Sequence, residues 1–387
     1  MPRRASATAA DSLGAAVAAL RLVDHHVHGA ATADLDSAGF AAGLTESAWP
    51  APPGTSHLDS QLGFAVRRWC APVLELPPHT DAVTYLARRR ELGAGEVARR
   101  FLTASGTGWF LVETGYRAEE ILGPASMARA CGARVAEVVR LESVAEEVAG
   151  VAPGAAVFAE AFATALDGRA RHAAGLKSVI AYRHGLDFDP EPPDAAEVRR
   201  AAGRWLRRWE GGEKRLIDPV LLRHLLWVGV ECRLPLQFHV GYGDPDLTLH
   251  RCDPSLMTGF LRRVQDRGVA VMLLHCYPYH RTAGYLAAVF PHVYLDVGLA
   301  VNPHRCPQPG ARGGVAGGGP VRQGALLVRC VGAARAALSR AVLWRRAMTE
   351  VLGEWVASGD WSQADAVRVA ELVGAGNARR VYRLEEP

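Results

Sequence analysis

The sequence is nearly free of lysine, has little net charge and contains no long apolar run. Of its 44 lysine and arginine residues, only Lys177 and Lys214 are lysines. A net charge of +4 over 387 residues is too weak to indicate nucleic acid or an acidic membrane surface as a partner. The N-terminal apolar run LGAAVAAL is too short to span a membrane, and no cleavage-like site follows it, so we expect no signal peptide.

The seven cysteines are odd in number and include no CxxC pair. Disulfide frameworks and zinc sites usually need paired or regularly spaced cysteines, so we interpret these residues as free thiols in a reducing compartment. These absences together predict a cytoplasmic protein with no membrane or nucleic-acid partner.

Apolar runs recur along the chain, most of them ending in polar residues and separated by helical stretches. They occupy residues 21–28, 108–115, 136–143, 175–183, 234–244, 269–278 and 292–299. Continuous apolar strands that alternate with helices are typical of a parallel sheet buried on both faces. Seven such strands are one short of a (β/α)8 TIM barrel, which is the α/β fold that we predict.

Residues 30–108 interrupt this series after its first strand. They are mostly helical in pattern, with proline-rich breaks at WPAPPG and LELPPH. We interpret them as a helical insertion that caps a site, within a single barrel domain over residues 1–387.

Polar residues stand at the ends of the predicted strands, where a barrel of this type gathers its active site. They are His26, His28, Glu113, Lys177, His239, His275 and Asp296. Because side chains alternate along a strand, His26 and His28 should face the interior and His25 should face away. Two neighbouring imidazoles suit a divalent ion, and the two later strand-end histidines favour that interpretation over a satisfied polar pair.

Lys177 lies within an apolar strand, where an ammonium is costly unless it has a partner or a task. Three interpretations stay open. The lysine can be carbamylated and bridge two metal ions. It can be an ammonium that binds substrate or tunes a pKa. It can also form a structural ion pair, for which Glu142 on the neighbouring predicted strand is a candidate.

Five motifs in order give the chain a family resemblance. VDHHVHG, GLKSVIAYRHGL, QFHVGYGD, LLHCYPYHR and GNARRVYRL together resemble the amidohydrolase superfamily. The resemblance covers residues 20–384. It points to the amidohydrolase-2 branch, which also forms the N-terminal part of fungal and plant proteins fused to glutamine synthetase.

The resemblance implies a TIM barrel that holds one or two divalent metal ions, with zinc the expected metal. The positions that match the family's metal ligands are His26, His28, Lys177, His239 and His275. Lys177 matches the strand-four position that can carry a carbamate, and we predict Lys177 and His275 as catalytic residues. The implied reaction is attack of a metal-activated water on a C–N amide-type bond of a small polar molecule. A metal-dependent decarboxylase of the same branch, or a non-catalytic metal-binding relic, are the alternatives.

Residues just beyond the fourth and fifth strands are candidates for substrate and supporting contacts. Tyr182 and Arg183 are predicted to bind substrate, since a guanidinium can pair with a carboxylate through two hydrogen bonds. Core packing and a loop ion pair are the competing interpretations. Asp244 and Asp246 can orient metal ligands or cap their loop. A homodimer is the expected assembly.

The sequence departs from the family pattern at strand eight. An aspartate is expected there as the proton acceptor, but residues 297–349 contain neither Asp nor Glu. Residues 303–340 are rich in glycine and arginine and have poor periodicity, as in low-complexity sequence. In the chain as printed, the catalytic aspartate is absent.

A shift of reading frame accounts for residues 303–340. When residues 304–309 are back-translated and read one base later, they give Thr-Gly-Ala-Arg-Ser. Residues 323–331, treated in the same way, give Lys-Val-Leu-Tyr-Ser-Ser-Asp-Ala, which contains the expected aspartate. Two compensating insertions or deletions would therefore flank the segment. We expect the polypeptide as printed to have a damaged eighth strand and little or no hydrolytic activity.

Overall fold

A computed structural model describes residues 12–151, 154–296 and 334–386. Its strands form one seven-stranded sheet in chain order, β1 to β7. They are β1 (Leu22–Val27), β2 (Thr107–Glu113), β3 (Arg134–Arg140), β4 (Ala173–Ser178), β5 (Leu236–His239), β6 (Val271–Leu274) and β7 (Val293–Leu295). β1 pairs with β2 in parallel, and so do the successive pairs from β3 to β7.

At least one helix stands between every two successive strands. They are α1 (residues 12–19), α2 (Ser37–Ala42), α3 (Gln61–Trp69), α4 (Ala82–Ala104, kinked at Gly93), α5 (Pro124–Cys131), α6 (Leu141–Gly150), α7 (Phe158–Ala170), α8 (Ile180–Arg183), α9 (Ala195–Glu210), α10 (Pro219–Glu231), α11 (Thr258–Val264), α12 (His280–Val289), α13 (Ala334–Ser358), α14 (Gln363–Glu371) and α15 (Asn377–Tyr382). The alternation of parallel strands and helices confirms the predicted α/β fold of the TIM-barrel type. No helix among the residues described is long and apolar enough to cross a membrane.

Several strands end earlier than their apolar runs predicted. Residues 141–143 begin α6, and residues 180–183 form α8. Periodicity cannot separate a buried strand from the buried first turn of the helix that follows, because both present apolar side chains on every face. The placement of Glu142 on a strand was therefore wrong, since it lies in the first turn of α6.

The predicted eighth strand falls outside the described residues, and so does most of the segment 303–340. The last residues of that segment, 334–340, lie in the first turns of α13.

The described chain divides into two compact units. The first holds the residues up to Val112, Tyr116–Ala136 and those from Asp296 onward, and the second holds Glu113–Gly115 and Glu137–Leu295. The single-domain organisation stays a prediction.

In the first unit, Arg345 of α13 joins three distant parts of the chain. Its Nη1 donates to the Ser105 carbonyl at 2.7 Å, and its Nη2 donates to the Leu20 carbonyl at 3.0 Å. A Cβ at Gly106, where φ is +65°, would stand 2.7 Å from Nη2, so the guanidinium needs a glycine there. Burial lowers the pKa of Arg345. The side chain thus fixes α13 against the starts of β1 and β2.

Replacement of Arg345 by methionine should destabilise the protein by about 3–6 kcal/mol, because it removes two hydrogen bonds from a charged donor and each contributes about 1.5–3 kcal/mol. Urea unfolding monitored by circular dichroism measures the change. Arg90, exposed on α4, gives the control: Arg90→Met should change stability by less than about 0.5 kcal/mol. Equal stability of the two variants would contradict the role assigned to Arg345.

In the second unit, strand register sets up a row of polar side chains in the sheet. Arg140 of β3 pairs with Lys177 of β4, which pairs with Gln237 of β5. All three side chains are buried. Because residues two apart share a face, His239 follows Gln237 on the same side of the sheet. The register therefore places a polar row, with Gln237 directly below His239, one layer below the strand-end histidine.

Candidate functional site

The two histidines of the HxH motif lie side by side at the end of β1. The rings of His26 and His28 contact each other edge to face, with centroids 4.9 Å apart, and both side chains are buried. Tyr116 packs against His28 at 5.2 Å. The structure brings the two imidazoles together as alternation along the strand predicted.

His25 makes different contacts. Its Nδ1 lies 3.2 Å from the Tyr382 hydroxyl of α15, and its Nε2 lies 3.8 Å from Oδ2 of Asp296 at the end of β7. Burial lowers the pKa of His25 to about 3, so its ring is neutral at physiological pH. Asp296 is therefore a neighbour of His25, the histidine that we predicted to face away from the interior.

In the second unit, His239 and His275 form a second imidazole pair. Their ring centroids are 4.8 Å apart, and Tyr182 packs on His239 at 4.3 Å. His275 has a φ of +75°, a left-handed conformation that costs a non-glycine residue about 1–3 kcal/mol and is typical of functional sites. Gly243 lets its loop lie close to Tyr182, since a Cβ there would stand 2.1 Å from the Tyr182 hydroxyl oxygen.

Lys177 lies beside a buried carboxylate. Its Nζ is 3.9 Å from Oε2 of Glu113, at the end of β2. Arg140 donates to both oxygens of Glu113, through Nε at 3.0 Å and Nη2 at 2.5 Å, and the Gly115 N–H donates to Oε1 at 2.6 Å. The strand-end acid is thus held by two cations and a backbone amide. Arg140 was not among the predicted site residues, although it is the last residue of β3, as Glu113 is the last residue of β2.

Glu142 stabilises the turn that follows Lys177. Its Oε1 accepts hydrogen bonds from Ser178 Oγ at 2.7 Å and from the Val179 N–H at 2.9 Å. Burial raises the pKa of the Glu142 carboxyl. The acid near Lys177 that the structure records is therefore Glu113, whereas Glu142 was the candidate named from the sequence.

The raised pKa of Glu142 makes its effect on stability depend on pH. The folded state favours the protonated form, so this contribution is fully present below the ordinary pKa of 4.5 and is lost as the pH rises through the folded-state value. We expect Glu142→Gln, which keeps an acceptor for Ser178 but does not titrate, to gain stability relative to the parent as the pH rises from about 4 to about 8. Urea unfolding across this range is the measurement. Exposed Glu160→Gln is the control, and parallel profiles for all three proteins would contradict the expectation.

Arg183 lies in a partly buried ion pair. Its Nη1 is 3.0 Å from Oε1 of Glu146, and burial lowers its pKa. On the neighbouring loop, Asp246 pairs with Arg215 at 2.8 Å, and both side chains are about half exposed. The Arg183 contact matches the ion pair considered as an alternative for that residue, whereas the ion pair of Asp246 is neither of the two roles predicted for it. The substrate role of Arg183 stays a proposal.

The predicted metal ligands thus fall into two imidazole pairs, one in each unit, with Lys177 in the second. Within the described part of the chain, no group of three or more His, Cys, Asp or Glu residues forms a metal-ligating cluster. The chemistry of the pairs suits a divalent ion, since buried imidazoles are common ligands for zinc and related metals.

An α/β fold of the TIM-barrel type with polar residues at its strand ends defines a class of proteins that includes many enzymes. The chain belongs to the amidohydrolase family, whose model matches residues 103–318. The match includes Lys177, His239 and His275, starts after the HxH motif, and ends before residues 323–331.

Similar proteins agree with this membership. Protein fluG of Emericella nidulans is 36% identical over 135 residues, which are 32% of this chain and 15% of that protein. A Lactobacillus casei protein described as a metal-dependent hydrolase is 26% identical, with a TM-score of 0.81 over 96% of this chain and 97% of its own. The uronate isomerase of Bacillus halodurans shares the fold at 13% identity, with a TM-score of 0.64 over 98% of this chain and 97% of its own.

Proposed function

We propose that the protein is a metal-dependent hydrolase that cleaves a C–N amide-type bond in a small polar molecule. The observation that carries the proposal is the pairing of buried imidazoles at strand ends, His26 with His28 and His239 with His275. A buried histidine pair is costly to retain without a task, and the family and the Lactobacillus neighbour favour metal binding as that task.

The four histidines would hold one or two divalent ions, with zinc the expected metal. A bound ion supplies an acidified water and polarises the substrate carbonyl. The chain's own residues do the positioning. Tyr182 packs against His239 and limits how that ring can turn. Glu113 lies 3.9 Å from the Lys177 ammonium, which stands one layer below His239 in the sheet.

Lys177 is better supported as an ammonium than as a carbamate. A carbamate would bring a second anion next to the Glu113 carboxylate, whereas an ammonium 3.9 Å away is attracted to it. The carbamate stays a competing prediction. Incubation with isotopically labelled bicarbonate, followed by carbon NMR, tests it. A carbamyl signal that Lys177→Arg removes would overturn the ammonium assignment.

A screen for products tests the reaction class. The purified chain is loaded with zinc, manganese or cobalt and incubated with small amides, and released amine is measured. A panel of small carboxylates is incubated in the same way and assayed for released carbon dioxide, which would identify a decarboxylase instead. We expect amine release that a chelator abolishes and added metal restores. Because we expect the eighth strand of this chain to be damaged, the screen includes the chain with the shifted reading frame restored.

A non-catalytic relic that binds metal is the second candidate. The specific observation in its favour is the absence of Asp and Glu from residues 297–349. Asp296, the last acid before this stretch, lies against His25. Two results together would support this candidate for the polypeptide as it stands. The printed chain would bind metal but release no amine, and the restored chain would be active.

The cellular location and assembly are further proposals. The five described cysteines are all free thiols, as expected for a cytoplasmic protein. The expected homodimer stays a prediction that size-exclusion chromatography with light scattering can test.

A further inference from the structure

A cavity of about 290 Å³ lies in the first unit between α3 and α13, and none of its lining residues belongs to the candidate site. One face of α3 forms a wall through Phe64 and Arg68, one turn apart, and Trp69 closes the end of that helix. Leu343 and Arg346 of α13 form the opposite wall. The lining combines apolar side chains with two arginines, and it contains no acid.

Two guanidinium groups converge on one indole in this cavity. The Cζ atoms of Arg68 and Arg346 lie 4.2 Å and 5.0 Å from the centroid of the Trp69 ring. Neither arginine forms an ion pair with a carboxylate of the described residues. The segment before α13 cannot supply a carboxylate partner either, because residues 297–349 contain no Asp or Glu. Like charges held near one another without a counterion favour the binding of an anion.

The rest of the lining is suited to an apolar body. Phe64 is 42% exposed, which is high for a large aromatic side chain. His79 stands in a left-handed conformation with a φ of +66°, held by its N–H donating to the Arg67 carbonyl at 3.0 Å. A strained non-glycine residue in the wall of a cavity is a pattern associated with ligand sites. The exposed ring and the two cations together fit a ligand that is apolar at one end and anionic at the other.

We propose that this cavity binds a small organic anion. Its carboxylate or phosphate group would pair with Arg68 and Arg346, and its apolar body would pack against Phe64 and Leu343. Arginine is suited to this task because its planar fork donates two parallel hydrogen bonds to either group. The site is independent of the proposed hydrolase activity, because it uses none of the candidate metal ligands.

The test titrates the full chain with four probes and follows them by ligand-observed NMR. Benzoate and phenyl phosphate carry both an aromatic body and an anion, benzyl alcohol lacks the anion, and inorganic phosphate lacks the body. We expect one or both aryl anions to bind saturably, and the other two probes to bind at least about tenfold more weakly. The aryl anion that binds more tightly shows whether the site prefers a carboxylate or a phosphate group.

Variants place the binding in the cavity. Arg68→Gln and Arg346→Gln should each weaken the aryl anion at least about tenfold, while Arg199→Gln, an exposed arginine on α9, should leave it unchanged. Circular dichroism checks that each variant is folded. Binding that is absent, unchanged in both cavity variants, or lost equally in Arg199→Gln would overturn the proposal. Equal affinity for inorganic phosphate and phenyl phosphate would show that the aromatic body adds nothing to binding. That result would overturn the proposal of an organic ligand.

Discussion

Replacement of His239 by alanine is expected to lower the affinity of the protein for zinc by more than about 100-fold. Changes to groups that merely support a metal ligand already cost about 10- to 100-fold, and loss of the ligand itself should cost more. The His239 ring lies 4.8 Å from that of His275, so the same loss is expected for His275→Ala. Competition against a chromophoric chelator measures affinity, and elemental analysis measures the bound metal.

His224 supplies the matched control for this experiment. It is a partly buried histidine of α10 in the same unit as His239, it packs near Phe162, and it does not stand at a strand end. His224→Ala should bind zinc as the parent does. The proposal of a metal centre fails if His239→Ala and His26→Ala both retain parental affinity. If only one pair matters, the metal is held by one imidazole pair rather than by both.

Restoration of the shifted reading frame across residues 304–331 is expected to raise amide hydrolysis by about 10²–10⁴-fold, which is the usual contribution of a positioned general acid or base. The restored segment contains the Ser-Ser-Asp sequence that the printed chain lacks. These residues lie outside the described part of the structure, so the expectation depends on the sequence and the family pattern. Rates for the printed and restored chains, loaded with the same metal, give the comparison.

A second variant separates the aspartate from the rest of the restored segment. In the restored chain, Asp→Asn at the new aspartate should return the rate to that of the printed chain while both proteins bind metal equally. Robust metal-dependent turnover by the printed chain would show that it needs no strand-eight acid. A fresh read of the genomic DNA across codons 296–345 decides whether the shift is a sequencing error or a real lesion.

Local patterns predicted much of the fold. The seven strands lie where continuous apolar runs occur, and the contact between His26 and His28 follows from alternation along β1. The ends of the strands were less predictable. The runs at 136–143 and 175–183 continue into buried helical turns, and burial on all sides erases the period that would separate the two structures.

The sequence by itself determined which polar residue types accompany each apolar run, because the order of residues along a run is a local property. Only the tertiary structure decided which of them meet. Glu113 rather than Glu142 lies beside Lys177, Arg183 pairs with Glu146, and Arg346 joins Trp69 in the anion cavity. Such contacts depend on strand register and on packing between helices far apart in the chain, neither of which a local pattern records.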